Sequence, residues 1–163
     1  MAVAGRGSST TAMYVADTTP ASEVAYHARF YFHPNSTTTG SSQHDIFIGL
    51  NSGSTVLFRV QYRLSSGAYQ LRAVVQRSGG TTSTSWYTIS NAAHPIEIAW
   101  QSAASAAFSL YIDGALKQTI TGLNTSAYTL ETVRLGPSSI SSKSSGTEYF
   151  DAFVSTRTTL IGP

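Results

Sequence analysis

The chain has 163 residues, a length that suits one domain with a single core. Only 11% of the residues are charged, the formal net charge is +2, and there is no cysteine. These values exclude disulfides, zinc–cysteine sites and cysteine nucleophiles, and a weak charge without a basic cluster argues against nucleic-acid binding. No segment has the ~18 consecutive apolar residues of a membrane helix, so we expect no membrane insertion.

The N-terminal part of the chain changes from small polar residues to strand patterns. Residues 1–12 are rich in Gly, Ser and Thr, which predicts a flexible segment, followed by a single domain over residues 13–163. Residues 24–33 alternate strictly and predict a strand with Tyr26, Ala28, Phe30 and Phe32 on its apolar face. Residues 44–50 predict the next strand, with Ile46 and Ile48 on one face.

A hairpin is predicted next, from residues 55–64 and 68–76 across the turn Ser65-Ser66-Gly67. Apolar residues alternate with long polar residues along both strands. Because the apolar face fixes the register, the polar side chains should gather on the other face. These side chains are Arg59, Gln61, Arg63, Gln70 and Arg72.

The second half of the chain continues with short strands and turn signals. Within residues 84–90, Trp86 should point away from Tyr87 and Ile89. Residues 108–123 predict a hairpin whose turn, Asp113-Gly114, supplies the positive φ angles of a tight connection. About eleven strands separated by turns predict an all-β sandwich of two antiparallel sheets.

Six segments together resemble the concanavalin A-like jelly-roll superfamily, and most closely its LamG-like modules. The segments are RFYFHPN, FRVQYRL, HPIEIAW, LYIDG, VRLG and YFDAF. The resemblance covers most of the chain and implies a jelly-roll fold and a secreted or cell-surface bacterial protein with neighbouring domains. It departs from the related modules at His33-Pro34-Asn35, where an Asp commonly precedes the Pro.

Catalysis by paired carboxylates is not supported by the sequence. Jelly-roll glucanases carry Glu-x-Asp-x-Glu on one strand, because alternate residues share a face. Here Glu97 keeps the first acid, but Ala99 and Gln101 replace the other two. We therefore predict no catalytic residues and no enzyme. Four His and abundant Ser leave a Ser/His/Asp triad open, although no G-x-S-x-G elbow is present.

A binding site for sugars is the leading hypothesis. Aromatic rings can stack on sugar rings, and Arg and Gln side chains can hydrogen-bond to hydroxyl groups. We expect these residues to form one patch on a solvated sheet face, where the alternative is an ordinary polar surface. The patch comprises Tyr31, Trp86, Arg59, Gln61, Arg63 and Arg72, with His27 and Arg29 as further candidates.

A structural Ca²⁺ is a second hypothesis, because jelly-roll modules often hold one with carboxylates and carbonyl oxygens. Asp17 and Glu23 lie near the first predicted strand, residues 12–16, and Asp151 lies on the last predicted strand. The resulting functional prediction is a non-catalytic module that binds a glycan or cell-surface ligand. The alternatives are an adhesive spacer that contacts other proteins and a glycoside hydrolase with an unrecognised site.

Overall fold

The computed structural model describes residues 2–5 and 10–162. Thirteen strands and no helix are found in this part of the chain, which therefore contains no helix that could span a membrane. The strands form two antiparallel sheets with one hydrophobic core between them. The predicted all-β two-sheet sandwich is confirmed.

The first sheet has six strands in the order β1-β13-β3-β9-β10-β11. Its strands are β1 (Ala2–Gly5), β3 (Ala25–His33), β9 (His94–Gln101), β10 (Ala106–Ile112), β11 (Ala115–Leu123) and β13 (Gly146–Thr156).

The second sheet has seven strands in the order β2-β12-β4-β5-β6-β7, and β8 also pairs with β6. Its strands are β2 (Val15–Asp17), β4 (His44–Leu50), β5 (Val56–Ser65), β6 (Ala68–Arg77), β7 (Gly80–Ser83), β8 (Tyr87–Ile89) and β12 (Thr132–Ser138).

The core follows the alternation read from the sequence. On β3, the four residues of the predicted apolar face are fully buried, and those of the other face are partly exposed. Phe58 lies at the centre of an aromatic cluster, with ring centroids 5.9–6.5 Å from four other rings. The four rings are those of Tyr26, Phe47, Trp100 and Phe108. These contacts join the two sheets through dispersion and aromatic packing.

Strand β4 departs from the predicted alternation. Asp45 pairs with Gln61, but Phe47 pairs with Val60, so a β-bulge inserts Ile46 as an extra residue. Directly paired residues share a face, so Phe47 lies in the core with Val60, and Ile48 lies on the outer face beside Arg59. The prediction that both isoleucines share one face is therefore wrong for Ile48, although both are buried.

Two further predictions concern a turn and the N-terminal segment. The turn at Asp113-Gly114 is confirmed, with φ angles of 58° and 72°. Residues 1–12 were predicted to be flexible, yet residues 2–5 form β1 along β13. This pairing satisfies backbone groups that an edge strand would otherwise expose. Residues 1 and 6–9, to which the same prediction applies, are not among the described residues. Residues 10–12 are described and are not part of a strand.

A polar pair is buried at one end of the sandwich. His44 Nε2 lies 2.7 Å from Glu148 Oε1, and the two side chains are 2% and 3% exposed. The ring of Tyr62 packs edge-on against His44, and its hydroxyl donates to the carbonyl of Thr37. Burial, with Glu148 as the second cause, raises the pKa of Tyr62 above its ordinary value. The pair therefore connects β4 and β13 across the two sheets.

Gly49 gives a packing test of this architecture. A Cβ atom at this position would lie 2.3 Å from Phe58 Cζ and 2.8 Å from Leu130 Cδ1. We expect Gly49→Ala to lower the free energy of unfolding by roughly 1–3 kcal/mol, because the ring has no free space to move into. Urea denaturation measures this, with Gly53→Ala as the control, since its nearest contact would be an ordinary 3.5 Å. Equal stability of the two variants would contradict the described packing.

Candidate functional site: an arginine face

One surface of the sandwich carries four of the chain's eight arginines. Cross-strand pairing places Arg59 beside Ile48, and Ile48 beside Arg134, in one row across β5, β4 and β12. A second row contains Asp45, Gln61 and Arg72, and a third contains Arg63 and Gln70. Paired residues share a face, so these side chains lie together on the outer side of the seven-stranded sheet. We call this surface, with Trp86, the arginine face.

Hydrogen bonds connect the second row. Asp45 is 3% exposed, and its Oδ1 accepts a 2.8 Å bond from Gln61 Nε2. Gln61 Oε1 accepts a 2.9 Å bond from Arg72 Nε, and Arg59 approaches Asp45 Oδ2 at 3.4 Å. Asp45 is the only carboxylate that the described residues place on this face. One acid therefore faces four arginines, so the surface has an excess of positive charge.

Trp86 lies beneath two of these arginines. The guanidinium carbon of Arg63 is 4.0 Å from the centroid of its ring, and that of Arg72 is 4.6 Å away. Gln70 Oε1 also accepts a 2.8 Å bond from Arg63 Nε. Cation–π contacts and this hydrogen bond restrain both arginines in fixed positions. The sequence predicted that Trp86 would converge with these polar residues, and the structure brings them together.

The charge balance affects Arg72 directly. Burial lowers the pKa of Arg72 below its ordinary value, and the neighbouring charges of Arg63 and Arg59 lower it further. The opposite charge of Asp45 acts in the other direction. A negatively charged group placed here would relieve the repulsion among the arginines. The geometry therefore suits an anionic ligand better than a neutral one.

Two serine-rich loops border the face. A cleft of about 470 Å³ is lined by Asp45, Arg59, Gln61 and residues 41–43 and 139–141. A second cleft of about 340 Å³ lies on the other side of the 41–43 loop and includes Arg63. Hydroxyl groups from these loops can donate and accept hydrogen bonds. The face therefore has two polar clefts at its border, each lined in part by its arginines.

Tyr14 joins the edge of the arginine face next to Arg134, whose guanidinium carbon is 4.7 Å from the tyrosine ring centroid. Gly136 makes this approach possible: its φ is 131°, and a Cβ would lie 2.4 Å from the carbonyl oxygen of Met13. The Met13 amide donates to the Pro137 carbonyl at 2.9 Å. No local pattern indicated Tyr14, because this contact depends on β2 pairing with β12.

Tyr31 does not belong to the arginine face. It lies on β3, and β3 is in the six-stranded sheet, where Tyr31 occupies the outer face with His27 and Arg29. The expectation of one patch must therefore be corrected: Trp86, Arg59, Gln61, Arg63 and Arg72 converge, and Tyr31 is on the opposite side of the sandwich. The sequence could not predict the side on which Tyr31 lies, because alternation assigns a residue to one face of its strand but does not assign the strand to a sheet.

The three acids proposed for Ca²⁺ lie in different surroundings. Glu23 is ion-paired with Arg157 at 2.8 Å, and Asp17 Oδ1 accepts the Thr19 amide at 2.8 Å. Asp151 is exposed on β13, where it pairs with Tyr31. Among the described residues, no group of three His, Cys, Asp or Glu side chains could hold a metal ion. The geometry therefore gives this calcium hypothesis no support.

Glu97, the single acid of the glucanase-like strand, has a structural partner. It is 4% exposed, and its two carboxylate oxygens accept the amides of Ile161 and Gly162 at 2.6 and 3.1 Å. Arg29 donates to the carbonyl of Gly162. The segment 160–162 therefore crosses the outer face of the six-stranded sheet. Glu97 was expected on an open face, but this segment covers it.

His27 lies beside this segment and gives a pH test. Burial lowers its pKa, and the charge of Glu97 partly opposes the shift. The folded state therefore binds a proton less readily than the unfolded state, whose His has a pKa of about 6.5. We expect this contribution to stability to be fully present above about pH 6.5 and lost as the pH falls below it. His27→Asn should flatten the fall in melting temperature between neutral and mildly acidic pH, and an unchanged slope would contradict the assignment.

Comparisons with known proteins identify the fold. No known protein-family profile matches the sequence, and no curated protein sequence matches it. Solved structures do match: a glucuronan lyase from the fungus Trichoderma reesei has a TM-score of 0.66 at 12% identity, over 96% of this chain and 79% of that one. An alginate lyase from Pseudomonas aeruginosa has a TM-score of 0.61 at 14% identity, over 83% and 66%.

A third structure, the receptor-binding domain of a botulinum neurotoxin of mosaic serotype C/D, has a TM-score of 0.60 at 13% identity. It covers 86% of this chain, which spans only 34% of the toxin domain and 66% of the alginate lyase. At these identities the likenesses establish the fold. The chain has the concanavalin A-like jelly-roll fold, as the six segments predicted.

The comparisons contradict the prediction that the domain is not an enzyme, because two of the three structures are polysaccharide lyases. Missing paired carboxylates exclude glycoside hydrolysis by two acids, but an elimination reaction needs no second carboxylate. The replacements at Ala99 and Gln101 therefore say nothing about a lyase.

Proposed function

We propose that the domain binds an acidic polysaccharide of the uronic acid class on the arginine face and cleaves it by β-elimination. The observation that carries the proposal is the excess of positive charge around Arg72, where four arginines face the single carboxylate of Asp45. The two lyases of the same fold support it, since their names specify alginate and glucuronan. A secreted or cell-surface location is proposed with it, because large polysaccharides occur outside cells.

The arginines would serve both binding and chemistry. They lie on β12, β5 and β6, so a polysaccharide that crosses these strands would meet them in turn. Guanidinium groups bind carboxylates through two parallel hydrogen bonds. Neutralising the sugar carboxylate also makes the proton on the neighbouring carbon more acidic. Removal of that proton forms a carbon–carbon double bond as the adjacent bond to the glycosidic oxygen breaks, and the departing oxygen takes up a proton.

Proton transfer requires a group on the arginine face that can lose and regain a proton. Asp45 and Tyr14 are the two described candidates. Both oxygens of Asp45 already face donors, from Gln61 and Arg59, and the side chain is buried. Tyr14 is 40% exposed, and its ring lies against the guanidinium of Arg134, so its hydroxyl is held at the edge of the arginine face and is open to a ligand. We therefore assign proton transfer to Tyr14 and a positioning role to Asp45.

The test separates binding from cleavage. The purified domain is incubated with polyglucuronate, with alginate and, as a neutral control, with a β-glucan. Affinity electrophoresis measures binding, and ultraviolet absorbance measures the carbon–carbon double bond that elimination creates. We expect retardation by an acidic polymer only, together with a rise in absorbance.

Tyr14→Phe is the variant that tests the chemistry, because it removes only the hydroxyl group and keeps the ring. We expect cleavage to fall by about 10²–10⁴-fold, the usual contribution of a general acid–base, while binding is retained. Asp45→Asn keeps a side chain of the same shape and serves as the comparison. Binding without any new absorbance would overturn the cleavage, and absence of binding to both acidic polymers would overturn the site.

A further inference from the structure

Three side chains outside the arginine face form a hydrogen-bonded line. Ser90 follows β8, His94 begins β9, and Asp113 lies in the turn between β10 and β11. The Ser90 Oγ is 3.0 Å from His94 Nε2, and His94 Nδ1 is 2.8 and 2.9 Å from the two carboxylate oxygens of Asp113. Strand pairing and the Asp113-Gly114 turn therefore bring together residues that are up to 23 positions apart in sequence.

The partners determine the protonation of His94. Carboxylate oxygens of Asp113 only accept, so Nδ1 carries the proton and Nε2 presents its lone pair to the Ser90 hydroxyl. The Ser90 carbonyl oxygen also lies 3.2 Å from Nε2. It can accept a hydrogen bond once Nε2 becomes protonated, so the site has acceptors for both forms of the base. This is the arrangement of a serine nucleophile, a general base and an orienting acid.

We propose that Ser90, His94 and Asp113 form an acyl-transfer site that hydrolyses short O-acyl esters, such as acetyl groups on sugar hydroxyls. His94 Nε2 would take the proton from Ser90 Oγ as the oxygen attacks the ester carbonyl, and would then give it to the departing sugar oxygen. Water would next lose a proton to His94 and attack the acyl-serine. This step releases the carboxylic acid and restores the serine, so no other reactant is needed.

The surroundings favour an ester carried on a polymer. Ser90 is exposed and the Asp113 side chain is 50% exposed, so a large substrate can reach the hydroxyl from solvent. The His94 side chain is 11% exposed and is fixed from both sides, which limits its motion relative to Ser90. The amides of the turn at residues 91–93 directly follow the nucleophile and are the nearest backbone donors along the chain for the developing negative charge. The proposal does not depend on the arginine face.

Two probes test it on the intact chain. A fluorophosphonate should react with Ser90 Oγ and add a single mass increment, located by peptide mapping, and 4-nitrophenyl acetate should be hydrolysed with release of coloured nitrophenolate. We expect Ser90→Ala to abolish both signals. Ser109→Ala is the matched control, because the Ser109 hydroxyl is bonded to Thr119 Oγ1, at 2.9 Å, rather than to a histidine. This variant should leave both signals unchanged.

His94 also connects two turns, so its role must be separated from a structural one. Asp113→Asn keeps the turn and the size of the side chain, and we expect ester hydrolysis to fall by about 10²–10⁴-fold with little change in melting temperature. Labelling that persists in Ser90→Ala would overturn the proposal. So would a wild-type domain that reacts with neither probe, or an Asp113→Asn variant that is as active as the wild type.

Discussion

Replacing Glu148 with Met is expected to lower the free energy of unfolding by about 3–5 kcal/mol, one of the two largest effects that the structure predicts. The substitution leaves His44 Nε2 without its 2.7 Å partner in a region where both side chains are almost fully buried. The side chain of His44 cannot reach water while β4 keeps its register. The measurement is chemical denaturation at neutral pH.

The double variant His44→Leu/Glu148→Met distinguishes a lost partner from a damaged core. It removes both polar groups of the pair, so neither one is left buried without the other, and we expect it to be more stable than Glu148→Met alone. A double variant that loses the sum of both single effects would show that the pair is not coupled. Such a result would contradict the contact between β4 and β13.

The second large effect concerns the arginine face. The double variant Arg59→Gln/Arg72→Gln should weaken binding of an acidic polysaccharide by about 10²–10⁴-fold. Each hydrogen bond to a charged group contributes about 1.5–3 kcal/mol, and 1.4 kcal/mol corresponds to a tenfold change in affinity. Both arginines are held by the Asp45–Gln61 network or by Trp86, so their positions are fixed before the ligand binds.

Arg77→Gln is the control for this variant. Arg77 ends β6, is exposed, and donates to the carbonyl of Ser78 rather than to the arginine face. It changes the net charge by one unit, so a general electrostatic effect would appear there as well. Affinity electrophoresis at two salt concentrations compares the variants. If Arg77→Gln lowered the affinity for the polysaccharide as much per removed charge as the double variant does, a site at Arg59 and Arg72 would be contradicted.

The sequence predicted those parts of the fold that depend on regular alternation. Along β5 and β6, polar residues at every second position were expected on one face, and the structure places Arg59, Gln61 and Arg72 there. The same pattern separated Trp86 from the core. A strand with strict alternation and one buried face has only one register that buries its apolar residues, so local sequence is sufficient.

Sequence reasoning failed where the site depends on distant contacts or on irregular backbone. Asp45 entered only as one of several scattered acids, because its partners Gln61 and Arg59 come from another strand. Tyr14 depends on β2 reaching β12, and Tyr31 was assigned to the wrong side because its sheet was unknown. These positions follow from the topology of the sandwich, which no local pattern encodes.

The prediction of a domain that is not an enzyme depended on the chemistry of hydrolases alone. A hydrolase of this fold requires a pair of acids on one strand, and Glu97 has no such partner at Ala99 or Gln101. The structure instead shows that Glu97 binds the amides of Ile161 and Gly162. A search for clustered arginines on a solvated face, combined with one ionisable group such as Tyr14, would have included eliminations.

The bulge in β4 has a consequence for changes in chain length. Ile46 is the one residue of the strand without its own partner on β5, while Asp45 and Phe47 on either side keep theirs. Removing it would restore an unbroken alternation in which Asp45 still faces outward and Phe47 still faces inward. The strand can therefore lose one residue here without exchanging its two faces. A deletion elsewhere in β4 would move the side chains on one side of it to the opposite face of the sheet. Related chains that differ in length by one residue at this position could keep the same surface and the same interior.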